Sequence, residues 1–293
     1  MTRNITSNQN GYTRYDFVLE EGLQRPISAD LQLNINGRKK PLVLFVHGFK
    51  GFKDWGHFNL LARYFADNGF AFAKLNLSHN GTTPDNLTDL SDLEAFAENN
   101  FSKELSDIRT FTGFLLRGPK NVPSEEINTE KVFIIGHSRG GSVAIIAAAE
   151  DARISAAASW AAVSNLEKRW SKTELETWQK TGVEYIANTR TGQQLPMKYQ
   201  IVEDYYANRE RFNILNAAKK LKEKLLIIHG DADESVPAEM AAELKNANTS
   251  AQLILMPGCN HSFGGSHPFA EETLPADAQQ AADFTIRFFQ QFL

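Results

Sequence analysis

Gly136-His137-Ser138-Arg139-Gly140 sets a serine between two glycines, directly after an apolar run and directly before an alanine-rich stretch ending at Glu150. The pattern Gly-x-Ser-x-Gly suits a strand that turns sharply into a helix, because a serine strained in that turn leaves its neighbours no room for side chains. Such a turn lifts the hydroxyl clear of a sheet and aims the N–H groups of the helix start at whatever binds there. A serine hydroxyl needs a base before it becomes a nucleophile, and the base needs a carboxylate to hold its tautomer. His261 suits the base: it lies in a loop that follows the last strand candidate and precedes the final long helix. For the carboxylate, Asp233 follows His229-Gly230 at the end of another apolar run, and the chain order serine, acid, histidine fits. Asp231 is its rival, disfavoured only by its place in the turn.

Acyl chemistry also needs two N–H donors for a developing oxyanion. Arg139, the residue after the serine, supplies one, and Phe49 in the glycine-bearing loop after the third strand candidate supplies the other. Gly48 lets that backbone pass close to a reacting carbonyl.

The elements that must position these groups follow from hydrophobic periodicity. Strand candidates fall at 15–20, 28–35, 42–47, 70–77, 132–136, 156–163, 225–229 and 252–256, and the later ones are unbroken apolar runs suited to cover on both faces. Helical patterns lie between them near 58–65, 102–116, 138–150, 237–246 and 275–292. This alternation predicts an α/β fold: a doubly wound, mostly parallel eight-stranded sheet whose first two strands form an antiparallel edge hairpin. The roughly sixty residues between the sixth and seventh strands exceed an ordinary crossover. They read as a helix over 165–180, a hairpin over 183–201 turning at 188–192, and a second helix over 203–222. The expected organisation is one domain over 1–293, with 164–202 inserted as a cap rich in tryptophan and tyrosine.

Composition narrows the partners. With 31 basic and 35 acidic side chains the net charge is -4, which gives no electrostatic case for nucleic acid or an anionic membrane. The polar N-terminus is unlike a signal peptide, and no apolar run has the length of a membrane span, so a soluble cytoplasmic protein is expected. Cys259 is the one cysteine and reads as a buried inert thiol. Of the remaining histidines, His47, His137 and His229 read as packing and loop-anchoring residues and His79 as bracing a loop, while His57 and His267 have no ligand partners at metal spacing, so neither a metal nor any other cofactor is expected.

Taken together, His47-Gly48-Phe49, the serine pentapeptide, His229-Gly230 with Asp233 and Val236-Pro237, and His261-Ser262-Phe263 resemble the α/β-hydrolase superfamily. The resemblance covers nearly the whole chain from about Tyr15. It is strongest toward the branch of dienelactone hydrolases, feruloyl esterases and prolyl-oligopeptidase catalytic domains. It implies a serine esterase acting on a small-molecule carboxylic ester, with Ser138, His261 and Asp233 as triad and Phe49 and Arg139 as oxyanion donors. An amide or short-peptide hydrolase is the alternative within that chemistry. A ligand-binding protein with little turnover is the alternative outside it. Ser138 stands where dienelactone hydrolases use cysteine, and the chain has no room for a propeller domain, so the substrate stays open.

Overall fold

Apolar runs without a polar face can be buried only where both faces of a strand are covered, and such runs build the centre of this fold. The computed structural model describes residues 12–167 and 170–293. In chain order come β1 (Tyr12–Leu19), β2 (Ile27–Asn34), β3 (Lys40–Val46), α1 (Phe58–Asp67), β4 (Ala71–Asn76), α2 (Leu93–Ala97) and α3 (Phe101–Leu116). Next are β5 (Ile127–His137), α4 (Arg139–Glu150), β6 (Ile154–Trp160), α5 (Lys172–Thr181), β7 (Val183–Asn188) and β8 (Gln193–Lys198). The chain ends with α6 (Gln200–Ala207), α7 (Ile214–Leu221), β9 (Leu225–Gly230), α8 (Glu239–Ala247), β10 (Gln252–Met256) and α9 (Ala276–Gln290).

Eight strands form one sheet in the order β1-β2-β4-β3-β5-β6-β9-β10. The pairings of β1 with β2 and of β2 with β4 are antiparallel, and the rest are parallel. Alternate residues of one strand feed two separate cores. Leu42, Leu44 and Val46 of β3 pack in the core that takes in residues of α3, α4 and α7, while Val43 and Phe45 pack with residues of α1 and α9. The sheet is therefore doubly wound, as its sequence pattern predicts.

Between β6 and β9 the expectations need correcting. The helix expected over 165–180 begins only at Lys172: Asn165 Oδ1 accepts the Glu167 N–H at 2.8 Å in a turn, and a Ser171–Glu174 capping box starts α5. Residues 168 and 169 of that expected helix lie outside the described residues. The helix expected over 203–222 is two helices. Asn208 ends α6 with its side chain on the Asp204 carbonyl at 2.9 Å, and Asn213 caps α7 by accepting the Asn216 N–H at 3.0 Å. Two asparagines with short polar side chains outbid the helical periodicity there. The hairpin is as expected: β7 pairs β8 antiparallel from Val183↔Lys198 to Asn188↔Gln193. Among the described residues no helix is long and apolar enough to cross a membrane.

Candidate active site

The strand β5 ends at His137, and Ser138 turns the chain into α4 with φ 56° and ψ -129°. A non-glycine residue at positive φ is strained, and here the strain is held from several sides. The Ser138 N–H donates to the Trp160 carbonyl at 2.8 Å, and its own carbonyl accepts the Gly141 N–H at 2.9 Å. Both flanking glycines are required by close approach. A Cβ on Gly136 would come within 2.1 Å of the Gly140 carbonyl oxygen, and one on Gly140 within 2.2 Å of the His47 carbonyl oxygen.

His261 sits in the loop after β10, and its Nδ1 is 2.7 Å from Asp233 Oδ2 in the loop after β9. The Asp233 side chain is fully buried while that of His261 is 23% exposed. Asp233 Oδ1 accepts the N–H groups of Ser235 and Val236, each at 2.8 Å. Burial alone would raise the Asp233 carboxyl, but hydrogen bonds from His229, His261 and the Val236 N–H hold it well below the usual carboxylate range. Its rival Asp231 is turned elsewhere, accepting the Gly258 N–H at 2.6 Å from an exposed position.

The oxyanion candidates meet at the same edge. Arg139 is the first residue of α4, so its N–H has no partner inside the helix. The Phe49 N–H has no backbone acceptor among the described residues. The loop bearing Phe49 presses on the elbow so closely that a Cβ on Gly48 would lie 2.9 Å from Ser138 Cβ. His47 fixes this loop. Its Nε2 accepts from the Leu77 N–H at 3.4 Å and the Asn80 amide at 3.3 Å, which leaves Nδ1 protonated to donate to the Gly48 carbonyl at 2.9 Å. Burial lowers His47 to about 4, so it stays neutral and does not move protons. His137 Nε2 bonds the His261 carbonyl at 2.8 Å, and burial followed by the neighbouring His261 lowers it to about 3. The histidine beside Ser138 thus anchors the loop that carries His261. Burial pushes the Cys259 thiol up to about 12, as expected of an inert thiol.

Ser138 and His261 open into a cleft of about 430 Å³. Its apolar wall is Phe49, Trp55 and Phe58, and its polar wall includes Lys50 and Arg190. Sequence reading assigned none of Lys50, Trp55 and Arg190 to the site. The tryptophans and tyrosines of the 164–202 segment are not on that wall. Trp170 packs edge-on against Trp178 and Tyr205 at 6.2 and 5.5 Å, and the Trp178 indole donates to the Met197 carbonyl at 2.8 Å. The segment reaches the cleft instead with the polar hairpin turn Asn188, Thr189 and Arg190. Arg139 is not among the residues of the cleft wall. Its guanidinium is paired with Glu104 Oε1 at 2.5 Å on α3 and lies 4.4 Å from the centre of the Phe49 ring. Among the described residues no cluster of histidine, cysteine and acidic side chains could hold a metal ion.

A doubly wound sheet with a strained serine at the carboxyl end of a central strand defines a serine hydrolase of the α/β type. Residues 94–288 match the profile of the prolyl oligopeptidase family, Peptidase S9, and the chain belongs to that family. No curated protein sequence matches it. Similar solved structures extend over nearly the full chain. Est1E from Butyrivibrio proteoclasticus with ferulic acid bound superposes with a TM-score of 0.68 at 18% identity, covering 94% of this chain and 98% of that one. The esterase domain of a Rhodothermus marinus protein gives 0.59 at 19% identity, with 95% and 97% covered. The acylaminoacyl peptidase of Pyrococcus horikoshii gives 0.66 at 16% identity, covering 97% of this chain and 42% of that one. At these identities the likeness is one of fold.

Proposed function

We propose that the protein hydrolyses carboxylic esters through an acyl-enzyme on Ser138. The observation that carries this reading is the 2.7 Å contact of His261 Nδ1 with buried Asp233, behind an imidazole that faces the same cleft as strained Ser138. Ser138 Oγ attacks the acyl carbon while His261 Nε2 takes its proton, and Asp233 keeps the other imidazole proton on Nδ1. The carbonyl electron pair moves onto oxygen, where the Phe49 and Arg139 N–H groups stabilise it. Collapse expels the alkoxide, which leaves with the proton from His261. Water, deprotonated by the same imidazole, then releases the acid and restores Ser138. Every proton and electron pair in this cycle is handled by the chain's own groups. Residues 164–202 act as a cap on a single hydrolase domain over 1–293, and their hairpin turn closes one side of the cleft.

The esterase named among the structural neighbours supports ester hydrolysis. A second reading, hydrolysis of amides or short peptides by the same groups, is favoured by membership of a peptidase family. A fluorophosphonate probe should label the wild-type protein at Ser138, and absence of labelling would leave a ligand-binding role on this fold. A panel of p-nitrophenyl esters beside aminoacyl anilides separates the two chemistries. Higher kcat/KM on the anilides, each corrected for its spontaneous rate, would replace the ester reading by the amide one.

A further inference from the structure

Charge in the cleft runs against the charge of the chain. The protein carries a net charge of -4, yet the ionisable wall residues are the cations Lys50 and Arg190 and the histidines His137, His261 and His267. No aspartate or glutamate belongs to that wall. Asp233 stands behind His261, and its side chain is fully buried and committed to that imidazole.

Neither cation is neutralised by a tight partner. Lys50 Nζ donates to the Ala187 carbonyl at 3.2 Å, and among the described residues no carboxylate lies within ion-pairing distance of it. Arg190 approaches Asp89 only at 4.0 Å, an edge contact in which both side chains are partly exposed, at 32% and 43%. Arg139, by contrast, is tightly paired with Glu104 and is not among the wall residues. The two cations come from different elements: Lys50 follows the oxyanion candidate Phe49, and Arg190 tops the β7–β8 turn. The Lys50 bond to β7 draws these elements together over one mouth. Two like charges there repel each other, and an anion between them removes that repulsion while gaining charge-assisted hydrogen bonds. Opposite them, Phe49, Trp55 and Phe58 offer an apolar face for the rest of a small molecule.

We propose that Lys50 and Arg190 form an anion subsite, and that the preferred substrates are esters carrying a carboxylate besides the scissile bond. This rests on the ester reading above. Mono-p-nitrophenyl glutarate and its methyl-capped diester share the scissile ester and differ in that charge, and the free carboxylate also speeds the monoester's own background hydrolysis. With the spontaneous background subtracted from each rate, wild-type kcat/KM should favour the monoanion about tenfold or more, equivalent to about 1.4 kcal/mol. The preference should shrink with added salt. It should fall severalfold in Arg190→Met, which alters an exposed turn, fall to near unity in K50M/R190M, and survive in Lys50→Arg. Because the ratio compares two substrates on one enzyme, a general loss of activity in a variant cancels. No preference in wild type, or an unchanged ratio in the double variant, overturns the subsite. If neither ester turns over while Ser138 still labels, the ester reading fails separately. Free glutarate then tests the subsite: it should slow fluorophosphonate labelling of the wild type and not of the double variant. Equal labelling with and without glutarate would overturn the subsite even then.

Discussion

Asp233 and Asp30 are both sealed from solvent, and both are held below the ordinary carboxylate range, yet their surroundings differ in kind. Around Asp233 stand two imidazoles and two backbone N–H groups, with one imidazole opening into the cleft. Around Asp30, between β2, β4 and the segment leading into α1, stand Lys53 at 2.8 Å, Arg14 at 3.2 Å and Lys74 at 3.5 Å. Asp54 shares the two lysines at 2.5 and 2.7 Å. Burial opposes the charge of Asp30, and the lysines and arginine more than offset it. Imidazole can gain and lose a proton near neutral pH, whereas paired ammonium and guanidinium groups do not. A buried, depressed carboxylate is therefore no sign of a reactive site by itself. What its partners can exchange decides the matter, and of the two only Asp233 has a partner that reaches the cleft of Ser138.

The strongest way to break this contrast is at the nucleophile. Ser138→Ala should fold as the wild type and lose ester turnover by about 10³ or more. Retention of a tenth of wild-type kcat would remove Ser138 from the mechanism. Next comes Asp233→Asn, which turns the acceptor facing His261 Nδ1 into an amide and should cost turnover on the order of 10³. Asp231→Asn touches only the Gly258 N–H contact and should stay within about twofold of wild type. Steady-state kinetics on both variants, reversed in order, would make Asp231 the partner of the base.

The contrast also explains what was legible in sequence. The unbroken apolar strands announce the doubly wound sheet, and the glycine-flanked serine announces its turn, because only glycine fits at 136 and 140. Asp233 could be preferred to Asp231 only by its place in the turn, and the deciding hydrogen bonds from Ser235 and Val236 are a property of the folded loop. Lys74 inside the strand Ala-Phe-Ala-Lys-Leu-Asn was a visible anomaly, since a lysine at a two-sided buried position demands buried carboxylates. Its carboxylate partners, Asp54 and Asp30, lie twenty or more positions away, and no local pattern pairs them. Lys50 and Arg190 were illegible for the same reason: they are 140 positions apart and meet only when the hairpin folds over the β3 loop. The asparagines that split 203–222 were readable as caps, but the apolar spacing that runs through them masked the break.

The ionic cluster gives the intermediate effect. Asp30→Asn leaves Lys53 and Lys74 to share Asp54, an uncompensated buried charge that should cost about 3–5 kcal/mol in chemical denaturation. Surviving folded protein should still label at Ser138, since none of Ser138, Asp233 and His261 is touched. The sign of the pH effect follows from the depressed carboxyl. Its contribution is complete above the unfolded value of 3.8 and is lost as pH falls below it. Wild-type stability should drop steeply below about pH 4, and the variant should show a shallower fall. Equal slopes would mean that Asp30 is not ionised in the folded protein.

The smallest effect concerns a charge that belongs to neither carboxylate. The Arg139 guanidinium lies 4.4 Å from the Phe49 ring centre and 5.8 Å from that of Phe101, pinned by Glu104, whose side chain is 1% exposed. Glu104 is held in turn by the Asn99 amide at 2.7 Å. The two proposed oxyanion donors are the N–H groups of Phe49 and Arg139, so the side chain of one rests on the ring of the other. That stacking couples their backbones, and an oxyanion hole is sensitive to displacements well below an ångström. Arg139→Met keeps length and the backbone donor but releases the clamp, and kcat should fall about tenfold, or about 1.4 kcal/mol, with KM nearly unchanged. Arg139→Lys restores the charge facing Glu104 without the planar stack. It should therefore recover thermal stability more fully than kcat. A raised KM for the glutarate monoester, with kcat intact, would instead mean that Arg139 meets the substrate's anion and that Glu104 yields it on binding.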